Sequence, residues 1–126
     1  MFNDKPEKRA KWHALLSEPE FDLKFDMPLD EMRSRAYSQI KKVSEANLVS
    51  IFDFQRDPKN IFTAHEMLGN INGNLATKFT VQFNLFGGSL MALHSERHLP
   101  FMKQVDSLTN MGCFCFTELG YGNNAP

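Results

Sequence analysis

Thr77-Lys78-Phe79-Thr80-Val81-Gln82-Phe83-Asn84-Leu85-Phe86-Gly87-Gly88 is the stretch on which the fold turns. Phe79, Phe83, Phe86 and Leu90 follow one another at spacings of four, three and four, the repeat of a single helical face. Val81, Leu85 and Met91 put apolar groups elsewhere around the same cylinder, so this helix should be buried on most sides. A helix placed that way needs other helices around it. Asn70-Ile71-Asn72-Gly73-Asn74 ahead of it is turn chemistry, Asn74 can cap it, and it should run to about Leu93. Further back, Asp57-Pro58 supplies an N-cap carboxylate and a proline at the first helical position. The helix it opens carries Ile61, Phe62, His65 and Leu68 and stops at Gly69. Met32, Ala36, Ile40 and Val43 share one face between about Pro28 and Asn47, with Asp26 as a start signal. Leu48, Ile51, Phe52 and Phe54 make an apolar connector. Beyond His94 and a turn, Pro100 opens a short helix through Val105. The fold class is all-α, a helical bundle with short connections.

Composition agrees with a bundle of this kind. The 126 residues are 42% apolar and 23% charged, ordinary for a globular domain and too apolar for disorder. A chain of that size buries roughly two-thirds of the surface its unfolded form exposes. Fourteen basic against fifteen acidic side chains leave a formal charge of −1, which argues against a nucleic-acid partner held by a strong positive field. No run of eighteen apolar residues is present to span a membrane. Two cysteines exclude a disulfide-rich framework. Met1 to Lys24 mixes Lys5, Lys8, Arg9 and Lys11 with Asp4, Glu7 and Glu18 and reads as a polar arm. A short amphipathic piece lies within it around Trp12, Leu15 and Leu16, and it lacks the features of a signal or transit peptide.

Character changes near the end. Met111-Gly112-Cys113-Phe114-Cys115-Phe116-Thr117 is rich in residues with strand propensity, and Glu118-Leu119-Gly120-Tyr121-Gly122-Asn123-Asn124 follows as a glycine-rich turn. A strand needs neighbours for its N–H and C=O groups, and no second convincing strand exists here. The segment reads either as a fraying tail or as the first strand of a sheet whose rest is expected downstream of Pro126, and the second is the expectation taken forward. The expected organisation is a polar arm over residues 1–26, a helical domain over 27–110, and the start of a β-domain over 111–126.

Several candidate chemistries fail on spacing. His94-Ser95-Glu96-Arg97-His98 lacks the glutamate directly after the first histidine that a zinc-protease helix needs, and no third ligand is evident, so no metal is expected. Cys113 and Cys115 face one side of a strand with their backbones roughly 6–7 Å apart, poor spacing for a mutual disulfide, and read as buried reduced thiols. His65 and Glu66 are adjacent on a helix and diverge, so they make no acid–base pair. Gly87-Gly88 costs about 1 kcal/mol per glycine relative to alanine, which fits either close helix packing or the approach of a ligand. Thr117 through Asn123 presents a hydroxyl and turn amides, yet it lacks the third glycine and following helix of a dinucleotide fingerprint.

Taken together, Thr77 through Gly88, then Gly112-Cys113-Phe114 and Thr117-Glu118-Leu119-Gly120-Tyr121-Gly122-Asn123, resemble the flavin-dependent acyl-CoA oxidase and acyl-CoA dehydrogenase superfamily. The likeness is close over the last fifty residues and one of arrangement in the earlier helices. It implies the N-terminal helical domain of such an enzyme, ending at the first strand of a β-domain. FAD is the implied cofactor, acyl-CoA the implied substrate, and formation of the trans-2-enoyl-CoA the implied reaction. Phe114, Phe116, Thr117, Gly122 and Asn123 match the flavin-contacting stretch, with the Thr117 hydroxyl aimed at the ring. Phe83, Phe86 and Gly87, with Gly88, match the lining of the acyl tunnel, and Asn123 approaches the thioester. The family's catalytic base belongs to a later helical domain, so no catalytic residue is assigned in this chain, which by itself would be inactive. Leu119 and Asn123 lean toward oxidase-like members, while Tyr121 stands where oxidases commonly carry histidine. Homo-oligomers and a peroxisomal or mitochondrial address, peroxisome favoured, are further implications. The competing expectation is a helical binding or interaction module that has lost the chemistry.

Overall fold

The computed structural model describes residues 4–122. Among these residues seven α-helices follow one another: α1 (Pro6–Leu16), α2 (Leu29–Glu45), α3 (Asp53–Arg56), α4 (Pro58–Gly69), α5 (Gly73–Phe79), α6 (Gly88–Leu93) and α7 (Leu99–Asp106). Between α5 and α6, Thr80–Gly87 is π-helical, and the backbone stays helical through Phe79, Gly87 and Gly88. These three pieces make one continuous rod, the long helix expected from the phenylalanine spacing. Its α5 end packs against α2 and α4, its π segment packs against α7, and α1 lies on α4.

Apolar periodicity decides what is inside. Ala36, Ile40 and Val43 of α2 are buried, as are Ile61, Ala64 and Leu68 of α4, and they meet Leu75, Phe79 and Phe83 of the central rod. Phe79 and Phe83 stack with centroids 4.7 Å apart and planes 19° apart. Met102 and Val105 close the core from α7, and Ile51 reaches it from the connector. Among the described residues no helix is long and apolar enough to cross a membrane.

Four local expectations shift. The supposed polar arm contains α1, whose Trp12 is fully buried; charges on its other face tie it down, with Arg9 donating to Glu66 at 2.7 Å and Lys5 paired with Asp57. That same ion pair occupies Asp57, so its carboxylate makes no cap hydrogen bond to α4, although Pro58 does open the helix. At the next helix the cap is Asn72 and not Asn74: the Asn72 side chain accepts from the Asn74 N–H at 2.9 Å. Asp26 lies outside α2 in the left-handed region (φ 59°), and the helix begins after Pro28.

Buried polar side chains fasten the connections. Gln39 donates to the Glu20 carbonyl at 2.8 Å, and Asn60 to the Leu48 carbonyl at 3.0 Å. Asp106 accepts the Ile51 N–H at 2.8 Å and the Ser50 hydroxyl, locking the connector to the end of α7.

Candidate functional site

The site is organised by Gln82, a fully buried polar residue in the middle of the π segment. Its Nε2 donates to the carbonyls of Val105 at 3.1 Å and Asn110 at 3.0 Å, and its Oε1 accepts the Gly112 N–H at 3.0 Å. One amide thus uses both its donors and its acceptor to hold the chain as it leaves α7. Gly112 can sit there only because it lacks a side chain: a Cβ would fall 2.2 Å from the Phe86 ring. Gln82 stands three residues after Phe79, on the apolar face. A polar residue at such a position signals a buried partner, and the phenylalanine pattern around it hid that signal.

Past Gly112 the chain runs along the rod with its side chains exposed. The expected strand has no ladder partner among the described residues, and the one bridge there is Glu118 with Gly122 in the turn. Gly122 takes φ 59°, and its N–H donates to the Glu118 carbonyl at 2.8 Å. Phe114 and Phe116 project together and stack in parallel, 5.6 Å apart with planes 4° apart. Thr117 follows them and is exposed. Asn123 lies outside the described residues.

Two apolar concavities flank Phe114. The larger is an open groove of about 550 Å³ between Phe54 of α3, the π segment and α6, lined by Asn84, Leu85, Gly88 and Leu93 among others. Gly88 faces the Phe54 ring at 3.4 Å from where a Cβ would stand. Asn84 keeps a buried Oδ1 with no hydrogen-bond partner among the described residues, a lone acceptor in an apolar wall. The smaller cavity, about 320 Å³, lies between Phe86, α6, His94, His98 and the two cysteines.

The expected tunnel residues therefore divide. Phe86 lines the smaller cavity, set edge-on to Phe101 at 6.1 Å. Phe83 and Gly87 are buried in the core and line neither concavity. Phe83 stays on the face of Phe79, on which it stacks, and Gly87 lies against Ile51. A Cβ on Gly87 would stand 2.4 Å from Ile51 Cγ2, so this glycine serves helix packing and its neighbour Gly88 serves the groove. Phe54 was hidden from sequence reading in the apolar connector.

The cysteines also differ from expectation. Cys113 and Cys115 are free and exposed, with Sγ atoms 3.6 Å apart. An unpaired segment covers neither thiol. The Cys115 thiol is pushed above its ordinary range by its hydrogen bond with Cys113 and by the neighbouring sulfur's charge. His94 and His98 turn to backbone and local partners: His94 Nδ1 lies 3.1 Å from the carbonyls of Leu90 and Met91, and His98 Nδ1 accepts the Ser95 N–H at 3.0 Å. Among the described residues no group of three or more His, Cys, Asp or Glu is placed to hold a metal ion.

Comparison with known proteins gives one consistent answer. The chain is 28% identical to peroxisomal acyl-coenzyme A oxidase 3 of Homo sapiens over 119 residues, 93% of this chain and 17% of that protein. It is 31% identical to the peroxisomal acyl-coenzyme A oxidase 2 of Arabidopsis thaliana over 110 residues, 86% of this chain and 16% of that one. An acyl-coenzyme A oxidase of Caenorhabditis elegans is 26% identical over 109 residues, with 86% and 16% covered. The chain spans about one-sixth of the length of these curated relatives. No family model and no solved structure matches it.

Proposed function

From a chain that belongs to the acyl-CoA oxidase superfamily, we propose the N-terminal part of an FAD-dependent enzyme that converts acyl-CoA to trans-2-enoyl-CoA. The observation that carries the reading is the pair Phe114 and Phe116, parallel within 4° and exposed beside an apolar groove. Exposed parallel rings of this kind suit a planar heterocycle, and a groove walled by Phe54, Leu85 and Leu93 suits an alkyl chain.

The residues fit the cofactor in kind. Phe114 and Phe116 offer an apolar face, Thr117 a hydroxyl, and the Glu118–Gly122 turn a glycine whose positive φ lets backbone approach closely. Asn123 would extend the same contact. FAD, when bound, supplies the acceptor for the substrate's β-hydride. This chain's own part is to bind and orient: the groove takes the acyl chain. Phe86 and the cavity beneath it widen the apolar surface. Removal of the α-proton is assigned to a carboxylate in sequence downstream of Pro126, with residues 111–126 as the beginning of a β-domain. The chain by itself is then inactive. Peroxisomal residence is proposed on the names of the human and Arabidopsis relatives.

The test is peroxide formation from acyl-CoA and oxygen by the protein that carries the downstream sequence. Stoichiometric peroxide is expected. Turnover on an artificial electron acceptor without peroxide would remove the oxidase assignment, and no turnover on any acyl-CoA would remove the enzyme reading. The 126-residue chain should purify colourless, and a stoichiometric flavin absorbance would contradict the division of labour.

A further inference from the structure

We propose that Cys113 and Cys115 form a dithiol that hydrogen peroxide closes into an intramolecular disulfide. The inference rests on the placement of the two sulfurs and concerns the 126-residue chain. Both thiols are exposed, both are free, and their Sγ atoms already stand 3.6 Å apart. A disulfide requires about 2.05 Å, so closure asks for a further approach of roughly 1.5 Å. A backbone fixed in a sheet would resist that movement. Here the segment pairs in no ladder among the described residues.

The chemistry is a two-electron oxidation of two thiols by one peroxide. Either thiol can lead; with Cys113 attacking first, Cys115 stands 3.6 Å away as the resolving thiol. The Cys113 sulfur, as thiolate, forms a bond to one peroxide oxygen. The O–O bond breaks, and the departing hydroxide gains the proton that Cys113 released, leaving water and a sulfenic acid. Cys115 then releases its proton and attacks the sulfenic sulfur. The S–S bond forms, the S–O bond breaks, and the second hydroxide leaves as water with the Cys115 proton. Two thiols are oxidised and one peroxide is reduced to two waters. Proximity makes the neighbouring thiol the first nucleophile that a sulfenic acid on Cys113 would meet.

The test treats the reduced chain at low concentration with hydrogen peroxide and follows free thiols by alkylation together with intact mass. Both thiols should disappear together, the mass should fall by two hydrogens, and dithiothreitol should restore both. Cys113→Ser and Cys115→Ser should each gain oxygen on the remaining sulfur and never show the two-hydrogen loss. Added oxygen without that loss in the unsubstituted chain, or disulfide-linked dimers in its place, would overturn the proposal. So would loss of the two thiols independently, at the rates of the single variants. Circular dichroism checks that the variants keep their helices, and the mass change of the unsubstituted chain decides the matter without them.

Discussion

Phe83 and Phe116 stand in the same kind of aromatic pair on opposite sides of Gly112. Phe83 stacks on Phe79 at 4.7 Å inside the helical body and is 0% exposed. Phe116 stacks on Phe114 at 5.6 Å on the exit segment and is 50% exposed. The difference lies in what surrounds each pair. In the body, helices on several sides remove the rings from water, and burial on that scale stabilises the fold by roughly 1.5–3 kcal/mol per ring. On the segment the rings stay about half exposed, so part of their apolar surface is left available for something that binds. Stability and recognition are thus separated along the chain, and Gln82 marks the border.

The sharpest way to break this contrast is to truncate both rings. Phe83→Ala should lose about 3–5 kcal/mol of unfolding free energy. Phe116→Ala should change it by no more than about 0.5 kcal/mol, as exposed sites do. Urea denaturation followed by circular dichroism measures both, and equal losses would mean that the segment belongs to the core. Gln82→Leu comes next. It leaves the Gly112 N–H and the carbonyls of Val105 and Asn110 without their partner. A loss of about 1–3 kcal/mol is expected, and limited proteolysis should cut earlier around residues 107–112.

Gly87→Ala sharpens the comparison inside the rod itself. The new methyl meets Ile51 Cγ2 at 2.4 Å, whereas the same change at Gly69 meets nothing within 4 Å. Overpacking at Gly87 should outweigh the helix-propensity gain and cost roughly 1–2 kcal/mol, while Gly69→Ala should be neutral or mildly stabilising in thermal melts. The smallest effect concerns pH. Burial pushes the Asp106 carboxyl above its ordinary range, against the pull of its hydrogen bonds from Ser50 and the Ile51 N–H. The folded protein therefore holds that proton more tightly than the unfolded chain. Its contribution is fully present below the ordinary carboxylate range and is lost as pH rises through the folded value. Asp106→Asn should flatten that part of the stability–pH curve, and an unchanged slope in denaturation series run upward from the ordinary carboxylate range would assign it elsewhere.

How much of this was legible in the residues follows from what kind of interaction fixed each part. The helices at Met32–Val43 and Ile61–Leu68 and the long phenylalanine rod were readable because burial of one face imposes a period on the sequence. Pro58 and Pro100 marked helix starts for the same local reason. What escaped was set by long-range partners. Asp57 lost its cap to a lysine fifty-two positions away, and the amphipathic piece around Trp12 is tied to α4 by an Arg9–Glu66 pair similarly remote in sequence. The groove suffered the same fate: Gly88 was among the expected tunnel positions, but Phe54 opposite it arrives from another helix. Phe83 and Gly87 went to the core through partners at Phe79 and Ile51, the second of which comes from the distant connector.

The π segment of the rod fixes the angular phase of everything beyond it. Each residue of an α-helix advances its successors by about 100° around the axis, and a π segment holds more residues per turn than an α-helix would. Deleting one residue between Thr80 and Gly87 would favour ordinary α-helical bonding, and it would also swing α6 around the rod. Leu93 and Ser89 would then point where other side chains point now, and the wall of the groove would be dismantled without any of its own residues being changed. The spelling of the groove is thus held partly in its residues and partly in a count.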